Sequence, residues 1–150
     1  MNIAVIGGSA CSKRIYQIAQ KTGELIAQEN WTLICGGLSG VMEAACKGAK
    51  TKNGVSVGIL PGDNPRQANQ YVKVKIPTGL GYARNILVIR ASDAIIAIDG
   101  KYGTLSEISF ALNEEKPIYG IDTWDIRGVK KVSGPQEAIK KIKALRSRKK

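Results

Sequence analysis

Short apolar, β-branched runs alternate along this chain with longer amphipathic runs, and that alternation predicts its architecture. Strands are expected over Ile3 to Ile6, Thr32 to Cys35, Val55 to Leu60, Val72 to Ile76, Ala94 to Ile98 and Pro117 to Ile121. Helices are expected over Ser12 to Gln28, Gly40 to Lys50, Gly79 to Ala91, Thr104 to Glu114 and Pro135 to about Arg146. Ser12 suits the cap of the first helix. Pro135, following Gly134, suits the first position of the last, with Glu137 in its first turn. Strand and helix taking turns implies an α/β fold: a doubly wound, mostly parallel sheet with helices on both faces, in a single domain over residues 1–150.

Three glycine-bearing turns follow predicted strands. Gly7-Gly8-Ser9 ends the first, Gly36-Gly37-Leu38-Ser39-Gly40-Val41-Met42 follows the second, and Asp99-Gly100-Lys101-Tyr102-Gly103-Thr104 follows the run Ala94 to Ile98. A turn between a strand's carboxyl end and a helix amino terminus leaves backbone N–H groups unpaired at the positive end of the helix dipole, where an anion binds. In a Rossmann-like sheet such turns reach one edge, so Gly8, Ser9, Gly36, Gly37, Ser39, Gly40, Val41 and Met42 join Gly100, Lys101, Tyr102, Gly103 and Thr104 as candidate ligand contacts. Phosphate is the expected anion.

Composition narrows the chemistry. The chain has no histidine, which removes Ser-His-Asp and Cys-His catalysis and imidazole metal sites. Cys11, Cys35 and Cys46 lack C-x-x-C spacing and are expected as buried free thiols. No motif calls for a metal, and no cofactor is required. No apolar run approaches the roughly 20 residues of a membrane span. The start, Met1 to Gly7, reads as a strand rather than a secretion signal, so a cytoplasmic protein is expected. Of the net charge of +11, seven positive charges fall between Lys140 and Lys150, which hold no acid. That basic end either complements a helix carboxyl terminus or touches nucleic acid phosphates; it has no aromatic residue to stack a base, so nucleic acid is not an expected partner.

With the turns placed, the chain resembles the LOG (lysine-decarboxylase-like) family, whose cytokinin-activating members are nucleoside-monophosphate phosphoribohydrolases. It is more similar to a sister group that includes molybdenum-cofactor carrier proteins. The resemblance runs over roughly residues 1–124. Gly7-Gly8-Ser9, Gly36 to Met42, Gly58-Ile59-Leu60-Pro61-Gly62, Gly81-Tyr82-Ala83-Arg84-Asn85 and Gly100 to Glu107 carry it. It implies catalytic roles for Arg84 and Glu107 in a hydrolase, ligand contact by Asn85, and a homodimer or higher homo-oligomer. Ile86, Leu87, Ile89, Ile108, Phe110 and Leu112 are candidates for that interface, or for the face turned to the sheet.

The chain departs from the hydrolase pattern. Tyr82 and Ala83 stand where the family has histidine and glutamate, Asn85 where it has lysine, Asp99 where it has proline, and Lys101 where it has a second glycine. Lys101 brings strain if its position demands positive φ, and Asp99 is expected to bind neighbouring backbone N–H groups. Glu107 either acts on a ribose ring during N-glycosidic cleavage or closes a capping box with Thr104. Ser39 and Thr104 combine phosphate contact with helix capping. Arg84 either grips a phosphate or is a solvated charge. The polar segment Gly62 to Asn69 either flanks the ligand or only connects strands. The leading expectation is binding of a phosphorylated small molecule, a nucleotide or molybdopterin-like cofactor. Hydrolysis of a nucleoside 5′-monophosphate is the alternative, and a nucleic-acid-associated role through the basic end comes third.

Overall fold

The computed structural model describes residues 1–148, with side chains described through residue 145. The strands are β1 (Asn2–Gly7), β2 (Thr32–Cys35), β3 (Val55–Leu60), β4 (Val74–Pro77), β5 (Ala94–Ile98), β6 (Ile118–Ile121) and β7 (Val129–Lys131). The helices are α1 (Lys13–Gln28), α2 (Val41–Thr51), α3 (Asn85–Arg90), α4 (Tyr102–Asn113) and α5 (Pro135–Arg148). The sheet runs β4-β3-β2-β1-β5-β6-β7, and every pair in it is parallel. From β1 the chain winds outward to β4, then returns to β5 on the other side of β1. The direction therefore reverses between β1 and β5, the place where open α/β sheets leave a crevice.

The sheet's two faces carry separate cores. Ile3, Val5, Leu33, Cys35, Ile96 and Ile98 pack with α1, α2 and α5, while Ala4, Ile6, Ile34, Ile59, Ile95 and Ala97 pack with α3 and α4. All five residues of β5 are buried, as a central parallel strand covered on both faces requires.

Several expected boundaries move. The fourth strand is Val74–Pro77 rather than Val72 to Ile76, because Ser56 binds the chain at Tyr71 and Lys73 before the ladder with β3 begins. The helix expected over Gly79 to Ala91 is a 3-10 turn, Gly81–Arg84, followed by the short α3; Gly79 and Gly81 have φ of 65° and 58°, outside the helical region. The last helix extends to Arg148, and β7 was not expected at all: three residues at a sheet edge carry too short a pattern to read. Of the basic end, Lys141 pairs with Glu137 at 3.0 Å and Lys143 with Glu29 of α1 at 2.8 Å. The charges expected on Arg146, Arg148, Lys149 and Lys150 lie outside the described side chains.

Helices α1 and α2 touch backbone to backbone. A Cβ on Gly48 would fall 1.9 Å from the Gln20 carbonyl oxygen, and one on Gly23 would fall 1.9 Å from that of Ala45. Helix propensity alone makes Gly48→Ala stabilising by about 1 kcal/mol. The crossing reverses the sign: overpacking is expected to lower the melting temperature of Gly48→Ala by roughly 5 °C. A variant that melts at or above the parent in a thermal scan would remove the close crossing from the account.

Candidate functional site

The carboxyl ends of β1, β2 and β5 bring the three glycine turns into contact. The Val41 N–H donates to the Gly8 carbonyl at 3.0 Å, and the Ser39 hydroxyl donates to the Ser9 carbonyl at 2.7 Å. Gly40 sits against the same turn, at φ 65°, where a Cβ would come within 2.3 Å of the Gly8 oxygen. A Cβ on Gly8 would in turn lie 3.8 Å from the Cα of Gly100, so the third turn abuts the first.

The helices that open onto this junction lack side-chain caps. At α1, the Ser12 hydroxyl accepts the Ile15 N–H; at α2 and α4, Gly40 and Lys101 supply no such bond. The amides of Met42 and Glu43 in α2, and of Tyr102, Gly103 and Thr104 in α4, donate to no acceptor among the described residues. Two positive helix ends with free N–H groups thus face one small region.

Helix α4 begins two residues before the expected start, and this overturns the capping box. Thr104 is the third helical residue, buried beneath Gly100, where a Cβ would fall 2.2 Å from its hydroxyl oxygen. Glu107 lies one turn further along on the same buried face and receives no backbone N–H. Ser39 does not cap α2 either, since its hydroxyl is committed to Ser9. Lys101 has φ −117° and is unstrained; the left-handed residues here are Asp99, at 48°, and Gly100, at 98°. Asp99 is held through its main chain, its N–H donating to Ile121 and its carbonyl accepting from the Thr123 hydroxyl; its carboxylate takes no neighbouring N–H among the described residues.

Arg84 and Glu107 are each only 7% exposed. The Arg84 guanidinium donates through Nε to the Ile59 carbonyl at 2.8 Å, through Nη2 to the Gly36 carbonyl at 3.3 Å, and through Nη1 to the Asn85 side-chain oxygen. Gly36 must lack a side chain for this, because a Cβ there would fall 2.5 Å from Nη2. Asn85 continues the chain of contacts: its Nδ2 donates to the Ser106 hydroxyl at 3.2 Å, which donates to the Gly103 carbonyl at 2.7 Å. Arg84 therefore ties β3, the second turn and, through Asn85, the start of α4. Only its remaining N–H groups are left for a ligand.

The Glu107 carboxylate forms neither a hydrogen bond nor an ion pair among the described residues. Burial pushes its carboxyl up to about 8, against the opposing pull of the Arg84 charge, so most of it is protonated at neutral pH. Burial lowers Arg84, while Glu107 acts to raise it. The Met42 side chain is buried core.

Two residues join the turns to distant segments, one at the end of the polar segment singled out from the sequence and one, Trp124, that sequence reading missed. Asn69, at the end of the polar segment Gly62 to Asn69, donates from Nδ2 to the Leu38 carbonyl at 2.8 Å and from its backbone N–H to Gly37 at 2.9 Å, pinning the second turn. Trp124, after β6, donates its indole N–H to the Lys101 carbonyl at 3.1 Å and holds its ring 6.1 Å from that of Tyr102, which is 80% exposed at the rim. Neither residue stands in a motif; both act across sequence distances that only folding closes. A separate cavity of about 650 Å³ lies at the opposite, amino edge of the strands, lined by Met1, Asp93, Lys116 and Leu145 among others, remote from the helix ends. No group of three or more His, Cys, Asp or Glu side chains suited to a metal ion occurs among the described residues, nor does any helix there have the length and apolarity to cross a membrane.

Known proteins are similar to this chain in fold and sequence. The structure of the molybdenum cofactor binding protein from the phototrophic bacterium Rippkaea orientalis superposes with a TM-score of 0.91 at 36% identity, covering 96% of each chain. That of the molybdenum cofactor carrier protein from Chlamydomonas reinhardtii gives 0.89 at 31% identity, covering 97% of this chain and 98% of the other. A cytokinin riboside 5′-monophosphate phosphoribohydrolase of Mycobacterium tuberculosis is 29% identical over 119 residues, 73% of this chain and 64% of that enzyme. The model of the SLOG cluster4 family matches residues 1–147, and the chain belongs to that family.

Proposed function

We propose that this protein binds a phosphorylated small molecule, a nucleotide or a molybdopterin-like cofactor carried as cargo, with its phosphate across the amino ends of α2 and α4. The observation that carries the reading is the convergence of five unbonded helix-end amides beside turns whose glycines bring backbone to backbone. Likeness to a cofactor-binding protein and a cofactor carrier supports a binding role. Lys101, exposed at the start of α4, adds a cation near that helix end, and the exposed Tyr102 offers a ring face to a heterocycle.

Hydrolysis of a nucleoside 5′-monophosphate is the second reading, favoured by the likeness to the mycobacterial phosphoribohydrolase and by Arg84 and Glu107, both buried and close enough to feel each other's charge. It would need Glu107 as an anion to stabilise an oxocarbenium-like ribose or to activate water. A carboxyl pushed to about 8 is mostly neutral at pH 7, and Arg84 already spends donors on three oxygens, so the chemistry is poorly poised. Binding is the better-supported role.

The interface follows from what the sheet leaves bare. Ile89 and Ile108 are fully buried core, which takes them from the interface set expected from sequence, whereas Ile86, Leu87, Phe110 and Leu112 are only partly buried. Val74 and Ile76 pair in register with Val57 and Ile59, so they lie on the α3 side of the sheet. The six-residue α3 stops short of them, and both remain 43% exposed beside Leu80, at 52%. An apolar edge strand of this kind fits a second copy of the chain, and we propose a homodimer through it.

Three outcomes are expected. Incubated at pH 7 with a panel of nucleoside 5′-monophosphates, the protein gains thermal stability with at least one and releases no base by chromatography; base release that disappears in Glu107→Gln would instead establish the hydrolase. The Glu107 carboxyl is raised in the folded state, so its contribution to stability is full below about pH 4.3 and is lost as pH rises through about 8. Glu107→Gln should therefore flatten the dependence of melting temperature on pH and melt roughly 5 °C above the parent at pH 9. Parallel curves for the two proteins would show that Glu107 keeps an ordinary carboxyl. Light scattering should give twice the mass of one chain, falling to one chain in Ile76→Lys; a single-chain mass for the parent sinks the dimer.

A further inference from the structure

Two of the three cysteines meet in the core. Cys35 closes β2 and Cys46 lies in the middle of α2; both are completely buried, and their Sγ atoms are 3.5 Å apart in a thiol hydrogen bond. The Cys35 sulfur also accepts the Gly37 N–H at 3.3 Å, so the thiol pair is bonded directly to the second glycine turn. Gly37 is left-handed, at φ 76°, and its carbonyl is held from the other side by Asn69. The turn is thus suspended between a sulfur and an amide side chain. Nothing in the ligand site uses either thiol.

We infer that Cys35 and Cys46 form a reversible disulfide site whose oxidation state sets the position of the Gly36-Gly37 turn. An S–S bond is about 2.0 Å long, so closing it draws the sulfurs together by about 1.5 Å. That movement displaces the acceptor from the Gly37 N–H and changes the turn whose neighbouring carbonyl, Gly36, receives Arg84. Its effect on ligand affinity rests on the binding role proposed above; the disulfide and its effect on Gly37 do not.

The chemistry balances with a peroxide as oxidant. The Cys46 sulfur, as thiolate, attacks one oxygen of hydrogen peroxide, the O–O bond breaks, and hydroxide leaves with a sulfenic acid on Cys46. The Cys35 sulfur then attacks that sulfenic sulfur; the S–S bond forms, the S–O bond breaks, and the sulfenic oxygen departs as water with the Cys35 proton. The two sulfurs lose two electrons and peroxide is reduced to two waters. Cys46 is the initial nucleophile because its hydrogen bond with Cys35 favours its thiolate, whereas Cys35 is held protonated by its bond to Cys46 and by burial. Complete burial admits a small oxidant during transient opening of α2 and excludes a bulky one such as glutathione disulfide.

The test treats the full chain with hydrogen peroxide or glutathione disulfide, alkylates under denaturing conditions, and reads intact mass and peptide maps. Amide exchange at Gly37 is followed in parallel. Peroxide should protect Cys35 and Cys46 together from alkylation, reversibly by dithiothreitol, leave Cys11 alkylated or separately oxidised, and speed Gly37 exchange by about fivefold through loss of its acceptor. Cys46→Ala should leave Cys35 alkylatable after the same treatment, and Cys11→Ala should behave as the parent. Retained alkylation of both thiols in the parent would overturn the inference, and so would a disulfide that leaves Gly37 exchange unchanged. Where a nucleoside monophosphate stabilises the reduced protein, oxidation should alter its affinity about fivefold. A chain that binds none in either state refutes the binding role, while mass and exchange still decide the disulfide.

Discussion

Parallel pairing of β1 with β2 on one side and β5 on the other is the constraint on which the rest of this molecule depends. It sends three strand ends to one edge of the sheet at the point where the winding reverses, and each strand end carries a glycine turn. The first two turns are then close enough that a side chain would collide, at Gly40 against Gly8, and the third turn abuts the first at Gly100. Contact between backbones leaves N–H groups, rather than side chains, as the lining of the junction. For the binding role proposed above, such a lining answers to an anion's charge and shape without committing to what the anion is attached to.

The uneven distribution of caps follows the same logic. Helix α1 is closed by Ser12, whereas α2 and α4 are left open. Unsatisfied helix-end amides are unfavourable unless solvent or a ligand receives them, so an uncapped start at a glycine turn is a local concession that binding removes. Arg84 and Asn85 supply the rigidity those open ends lack, linking the end of β3 to the second turn and to the first turn of α4. Asn85 is well suited to this relay because its amide accepts from Arg84 and donates to Ser106, which a lysine in its place could not do.

The pairing of Arg84 with Glu107 is electrostatically one-sided. Arg84 is buried but compensated by carbonyl oxygens; Glu107 is buried and compensated only by the charge of Arg84. Desolvation therefore dominates for Glu107 and raises its carboxyl to about 8. A neutral carboxyl remains a hydrogen-bond donor, and that property suits recognition of a ligand acceptor.

The alternation of apolar runs and the placement of glycines after strands were sufficient to read the α/β class, the central strands and the sheet edge at which the glycine turns meet. These are local properties: a strand's burial on both faces and a turn's need for glycine are written within a few residues. The start of α4 at Tyr102 rather than Thr104, the 3-10 turn from Gly81 in place of a helix from Gly79, the edge strand β7 and the burial of Glu107 were decided by tertiary structure. Whether Tyr102 enters a helix depends on how Gly100 packs over Thr104, and whether Glu107 is an anion depends on how much water α4 and Arg84 exclude. Asn69, Trp124 and the Cys35–Cys46 contact became visible only with folding, because each joins segments whose meeting depends on the sheet's winding and on the packing of α2 rather than on any local pattern.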